Sequence, residues 1–226
     1  MENLIQVAGI IDQAEADLLV GCGVDWLGFP LRLPSGMDDI SESDAHSILR
    51  RLPADRAGVL VSYLTDADEI AKYCDWLGFS AVQLHGEVSV TEISKLRRLR
   101  PDLGVLKSLI VRESNIKELL SQVDATQEHV DMFITDTFHE ATGARGATGR
   151  THDWSVSAQL VARSERPLML AGGLTPENVG DAIRAVRPAA VDAHTGLEGL
   201  DKRKDLGKVT RFVSEARIAF AESQAN

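Results

Sequence analysis

The sequence predicts a single (β/α)₈ barrel, on three observations. Short β-branched runs alternate with longer amphipathic stretches until eight pairs are complete. The length of 226 residues suits one such barrel, with no composition shift to mark an internal boundary. Glycine-rich loops follow the seventh and eighth runs, where barrels of this kind bind phosphate.

In chain order the strands are expected at Leu4–Ala8, Trp26–Leu31, Ala57–Ser62, Ala81–Leu84, Gly104–Leu109, Met132–Thr135, Leu168–Ala171 and Ala190–Asp192. Helix-start signals fall between them: Ser41 ahead of an acidic run, Thr65 before DADE, and Thr175-Pro176-Glu177, a cap followed by a proline at the first helical position. Strands separated by helices pair in parallel, and eight such units close into a barrel more often than they stay open. A doubly wound sheet is the alternative. The barrel is expected over residues 1–222, with 223–226 a disordered tail.

Composition narrows the function. Apolar residues make up 44% and charged residues 26%, enough for a full core without disulfides or metals. A net charge of −10 argues against nucleic acid or an anionic membrane as partner. It also requires that an anionic small ligand be caught by local backbone amides, helix N-termini or single arginines. Cys22 and Cys74 form no CxxC pair, there is no secretory leader pattern, and no apolar run nears the roughly 18 residues of a membrane span; a reduced, cytoplasmic protein is expected. His46, His129, His139 and His152 lack metal-ligand spacing, so no metal site is expected.

Barrel chemistry lies at the C-terminal strand ends, which singles out Ala8, the segment 34–39, His85, Asp136, Gly172 and Asp192. In LAGGLTPENV, Leu170 to Val179, the backbone at Gly172 and Gly173 lets an anion come close, and a helix starting at Thr175 turns its dipole toward it. In VDAHTGLEG, Val191 to Gly199, Thr195 and Gly196 repeat the device. The loop ATGARGATGR, 141–150, reads either as a lid carrying Arg145 and Arg150 or as a long surface loop. Asp136 in ITDT suits general acid or base work, or else caps a helix or pairs with a cation at the barrel mouth. Asp192 invites the same two readings, the structural one being the stronger. In AVQLHGE, Gln83 and His85 sit where a substrate would be met, although a lone histidine is more often structural. Lys107 is the one lysine placed for Schiff-base chemistry.

Taken together, VAGI, WLGFPL, AVQLHGE, ITDT followed by GATGRTHDW, LAGGLTPENV and AVDAHTGLEG with a later KD resemble phosphoribosylanthranilate isomerase over nearly the whole chain. The resemblance implies the barrel fold and a cofactor-free Amadori rearrangement, in which an acid opens a phosphorylated aminoribose ring and a base moves the C2 proton. It implies Asp136 as the acid and Gly172, Gly173, Thr195 and Gly196 as the phosphate loops, with Thr148 and Gly149 adjacent. It also implies substrate-facing positions at Ala8, Gln83, His85, Asp192 and Arg145.

Three positions depart from the family's pattern. Ala8 replaces the cysteine base. Asp38 stands where an arginine holds the anthranilate carboxylate, and a carboxylate there would repel that group by about 1–4 kcal/mol at about 4 Å. His194 replaces a serine. The reading drawn from these differences is an isomerase of altered specificity, acting on a phosphorylated aminoribose whose other half is neutral or cationic, with His194 or Asp38 as the base. The alternatives are ordinary phosphoribosylanthranilate isomerase activity in tryptophan biosynthesis, a non-catalytic phosphosugar-binding protein and, ranked last, a lyase using Lys107. The protein is expected to be a monomer or homodimer.

Overall fold

The computed structural model describes residues 3–36, 38–139, 144–145 and 151–224. Eight strands, β1 Leu4–Ala8, β2 Trp26–Pro30, β3 Ala57–Ser62, β4 Ala81–Leu84, β5 Gly104–Val111, β6 Met132–His139, β7 Leu168–Leu170 and β8 Ala190–Ala193, alternate with eight helices. The helices are α1 Gln13–Gly21, α2 Glu42–Leu49, α3 Ala67–Leu77, α4 Val90–Leu99, α5 Ile116–Thr126, α6 Trp154–Arg163, α7 Val179–Val186 and α8 Leu206–Gln224. The strands run in the order β5-β4-β3-β2-β1-β8-β7-β6, every pair parallel, and β5 pairs back onto β6. The barrel is closed, as the alternation predicts. No described helix is long and apolar enough to cross a membrane.

The period-2 geometry of the strands divides the apolar residues into two cores. Ile5 and Val7 of β1 belong to the larger cluster, which lies between sheet and helices and takes in Phe29, Phe133 and Phe212. A smaller cluster fills the barrel interior, with Val59, Leu106, Met132, Ile134 and Met169. Above it, toward the C-terminal strand ends, the interior turns polar: Gln6 Nε2 donates to Gln83 Oε1 at 3.4 Å and Gln83 Nε2 to Ser108 Oγ at 3.2 Å. The alternation that buries Met132 and Ile134 inside the barrel brings Asp136 into its mouth.

The element ends differ from expectation for local reasons. β7 stops at Leu170 because the Ala171 amide donates to Thr135 Oγ1 at 3.3 Å instead of extending the ladder. β5 and β6 run on past Leu109 and Thr135 because they pair through Val111 and Thr137, and β6 then pairs antiparallel with Ala144–Arg145. Asp66, not Thr65, caps α3, accepting from the Glu69 amide at 3.0 Å, whereas Ser41 caps α2 as expected. α7 begins at Val179, because Thr175 to Asn178 close on themselves: the Thr175 amide donates to Asn178 Oδ1 at 2.8 Å and the Glu177 amide to Thr175 Oγ1 at 3.2 Å. At the C-terminus α8 includes Ser223 and Gln224, so half of the expected tail is helix, Ser223 Oγ donating to Ala219 O. Residues 225–226 lie outside the described residues.

Candidate active site

A cavity opens at the C-terminal strand ends, and its wall includes Ala8, Gln83, His85, Asp136, Asp192 and His194 together with both glycine loops. Five sequence motifs, from the one at Ala8 to the one ending past Gly196, thus meet in one place.

Gly172 and Gly173 adopt φ of +95° and +66°, and a Cβ on Gly172 would stand 2.2 Å from Thr137 Oγ1. Thr137 Oγ1 is in turn 3.1 Å from His152 Nδ1, whose Nε2 lies 2.6 Å from Ser157 Oγ. Burial pushes His152 down to about 4, so the chain Thr137–His152–Ser157 is a neutral brace under the loop. On the other side Thr195 and Gly196 open a 3₁₀ turn, whose first amides have no partner within the turn. The two loops therefore form a backbone cradle in one cavity wall. The expected contribution of the Thr175 and Glu177 amides is not available to a ligand, since they are spent on local side chains.

Two carboxyls face this cradle. Burial pushes Asp136 up to about 7, partly offset by the Thr137 amide, which donates to Oδ1 at 2.7 Å. Asp192 is raised well above the ordinary carboxylate range, first by burial and then by the Asp136 charge, with Gln6 and Lys204 acting in the opposite sense. Its Oδ1 is buried without a hydrogen-bond partner among the described residues. Burial thus favours the protonated form of both carboxyls, which is the condition for a general acid.

His194 lies against the end of β1 and is held neutral, pushed down to about 3 by burial and by the Lys204 ammonium. Its Nε2 is 3.3 Å from Glu198 Oε1. Lys204 is only 4% exposed; its ammonium donates to Glu198 Oε1 and to Gly9 O, each at 3.2 Å, and its amide to Glu15 Oε1 at 2.7 Å.

Other expected site residues fall elsewhere. Asp38 does not line the cavity: its carboxylate accepts from the Arg32 and Leu33 amides, both at 2.8 Å, and holds Arg32 at φ +53°. The neighbouring Asp39 lines the rim instead; desolvation raises it and the Lys204 ammonium opposes the rise. Arg32 turns outward, its Nε 2.9 Å from Glu42 Oε1 and its guanidinium 3.9 Å above the Tyr73 ring. His85 is held by Ser108, Nδ1 to Oγ 3.1 Å, and packs edge-on to Tyr63, so it forms wall. Lys107 does not line the cavity and donates to the carbonyls of Leu84 and Gly86. Neither cysteine reaches the cavity, and burial pushes the Cys74 thiol up to about 12. Thr148, Gly149 and the side chain of Arg145 lie outside the described residues. Among the described residues no group of three His, Cys, Asp or Glu could hold a metal ion.

Thr137, His152, Glu198 and Lys204 were not singled out from sequence, and Asp39 only as the end of the segment 34–39. His152 and Thr137 are 15 residues apart with the whole 141–150 loop between them, and Lys204 sits in a DKRKD run that reads as a solvated face. No local spacing signals either cluster.

Fold and site define a closed (β/α)₈ barrel whose cavity at the C-terminal strand ends brings two glycine loops together with two buried carboxyls. The family model for N-(5'-phosphoribosyl)anthranilate isomerase matches residues 20–215. N-(5'-phosphoribosyl)anthranilate isomerase 2 of Methanosarcina mazei is 38% identical over 217 residues, 96% of this chain and 95% of that protein. The crystal structure of phosphoribosyl anthranilate isomerase from Thermotoga maritima superposes with a TM-score of 0.78 at 30% identity, covering 95% of this chain and 98% of that one. Another phosphoribosyl anthranilate isomerase structure, holding reduced 1-(o-carboxyphenylamino)-1-deoxyribulose 5-phosphate, superposes at 0.75 with 28% identity over the same shares. The chain belongs to the N-(5'-phosphoribosyl)anthranilate isomerase family.

Proposed function

We propose that the protein isomerises N-(5'-phosphoribosyl)anthranilate to the corresponding 1-amino-1-deoxyribulose phosphate. The observation that carries this reading is Asp136, a carboxyl raised to about 7 at the mouth of the barrel, in one cavity with the amides of both glycine loops. The 5'-phosphate occupies the cradle, and Asp136 protonates the ring oxygen. The C1–O bond then breaks as the anilino nitrogen forms a C1=N iminium. Loss of the C2 proton gives an enaminol. Ketonisation places a proton on C1 and takes one from the 2-hydroxyl, so that no cofactor enters the balance.

The expectation of a neutral or cationic aglycone gives way to this reading. It rested on an inverted charge at Asp38, and that carboxylate is spent on the amides of Arg32 and Leu33, outside the cavity. Near-complete coverage of a 38% identical relative supports the ordinary substrate as well.

The test is a steady-state assay with enzymatically generated phosphoribosylanthranilate, following loss of its fluorescence, in the wild type and in Asp136→Asn. Turnover in the wild type that falls about 10²–10⁴-fold in the variant supports the reading. Thermal stabilisation by the substrate without turnover would replace it with a phosphosugar-binding role.

A further inference from the structure

We propose that His194 is the base that moves the C2 proton in this chain, with Glu198 and Lys204 as its positioning residues. The inference rests on the isomerase reading above and supplies the group that reading lacks, since the Ala8 methyl in the cavity wall cannot accept a proton.

The register places the imidazole. β1 and β8 pair Val7 with Ala193, so Ala8 and His194 are the next residues at the same level. The ring then folds onto Gly9, the residue after β1. A Cβ built on Gly9, which has φ +77°, would lie 2.0 Å from His194 Nε2 and 2.6 Å from Cδ2 and Cε1. Only a residue without a side chain at position 9 leaves room for the ring. The histidine therefore occupies the mouth beside the short side chain of Ala8, in the same cavity wall as Asp136, Asp192 and the Thr195–Gly196 turn.

The orientation suits a base. Nε2 faces the Glu198 carboxylate at 3.3 Å, and that carboxylate is anchored by Lys204, whose ammonium also bonds Gly9 O. With Nε2 turned to Glu198 and Gly9, the acceptor in this step is Nδ1, for which no hydrogen bond exists among the described residues. Glu198 then steadies the imidazolium that proton transfer creates. The titratable groups around the ring are Glu198 and Lys204 from the loop after β8, with Asp192 on β8, Asp136 on β6 and Asp39 from the loop after β2 in the same cavity wall. Burial and Lys204 keep the resting ring unprotonated. A phosphate dianion at the adjacent Thr195 amide opposes Lys204, so the ring becomes more basic when substrate is bound.

The step balances. Nδ1 takes the C2 proton while the C2–H electrons form C1=C2 and the iminium electrons return to nitrogen. The imidazolium then delivers that proton to C1, and the 2-hydroxyl proton passes to the Asp136 carboxylate, restoring both groups.

The experiment compares wild type, Asp136→Asn, His194→Asn, His194→Gln, Ala8→Cys and the double variant Ala8→Cys/His194→Asn. Each is checked by circular dichroism and by inorganic phosphate binding. Both His194 variants are expected to lose about 10²–10⁴-fold in kcat with KM changed less than about threefold. The double variant is expected to regain at least about tenfold over His194→Asn, with the acidic limb of its pH–rate profile moved toward the thiol range of about 8.5. Full activity in the His194 variants, with Asp136→Asn inactive, would overturn the inference and leave the isomerase reading standing. Loss without cysteine rescue would assign His194 a structural role and likewise overturn it. A wild type that binds but does not turn over substrate would overturn the isomerase reading itself, and the inference with it.

Discussion

Gly196 lies directly against the carbonyl of Leu174: a Cβ at position 196 would stand 2.1 Å from that oxygen. The contact joins the loop after β7 to the turn after β8, and in the proposed function the two glycine motifs hold the phosphate together. Gly196→Ala must push the loops apart. The expected result is a KM raised about tenfold or more, equivalent to about 1.4 kcal/mol, with kcat less affected and stability lowered by about 1–3 kcal/mol. Steady-state kinetics and a melting curve check both; an unchanged KM would mean that the two loops bind phosphate independently.

Asp136 carries a stability cost that its chemistry needs. Its folded-state value of about 7 lies above the unfolded value near 3.8. Between those pH values the unfolded chain has released a proton that the folded protein retains, so stability falls as pH rises through the window. Asp136→Asn removes that term and is expected to raise the midpoint of thermal unfolding at pH 7–8 while lowering turnover about 10²–10⁴-fold. Melting curves at pH 4 and pH 8 test the sign; a variant that loses stability equally at both would refute it.

The same group sets the alkaline limb of activity. With Asp136 as acid, kcat/KM is expected to fall above about pH 7, and the charge then left on Asp136 holds the neighbouring Asp192 carboxyl toward its protonated form. Because Asp136 owes its raised value to burial and not to Asp192, replacing Asp192 with Asn should leave the limb in place. A pH–rate profile of the two proteins decides this.

The brace under Gly172 is predicted to act on binding. His152→Ala strands the hydroxyls of Thr137 and Ser157, costing about 1–3 kcal/mol of stability. It should raise KM more than it lowers kcat, because the ring meets the back of the loop and not the cavity. A kcat loss at constant KM would instead argue that His152 reaches the substrate.

Asp38 offers the converse. Asp38→Ala frees the Arg32 and Leu33 amides and is expected to lower stability by about 1 kcal/mol. kcat should stay within about threefold of the wild type, whereas a missing catalytic base costs far more. Kinetics of the single variant separate the two roles.

The barrel was readable because its signals are local. A β-branched run such as Ala57–Ser62, an amphipathic stretch and a capping Ser41 each act over a few residues, and Gly172 and Gly173 announce positive φ by the absence of a side chain. The candidate site was readable only as far as such signals extend. Asp136, Asp192 and both glycine loops were placed at strand ends and do line one cavity, whereas Asp38 was preferred to Asp39 by counting along a loop. Counting fails there because the choice depends on which carboxylate finds free amides. Asp38 meets two of them when Arg32 turns to φ +53°, a conformation that no propensity at Arg32 foretells.

By itself the sequence determined the order of elements, the closed parallel sheet and the glycine loops, all consequences of side-chain periodicity and backbone freedom within short segments. Only the tertiary structure decided that His194 rests on Gly9, that Lys204 is buried against Glu198 and that Thr137 and His152 brace Gly172. Each of these relationships joins residues brought together by barrel closure, and their distances follow from strand register and loop packing, which adjacent sequence does not encode.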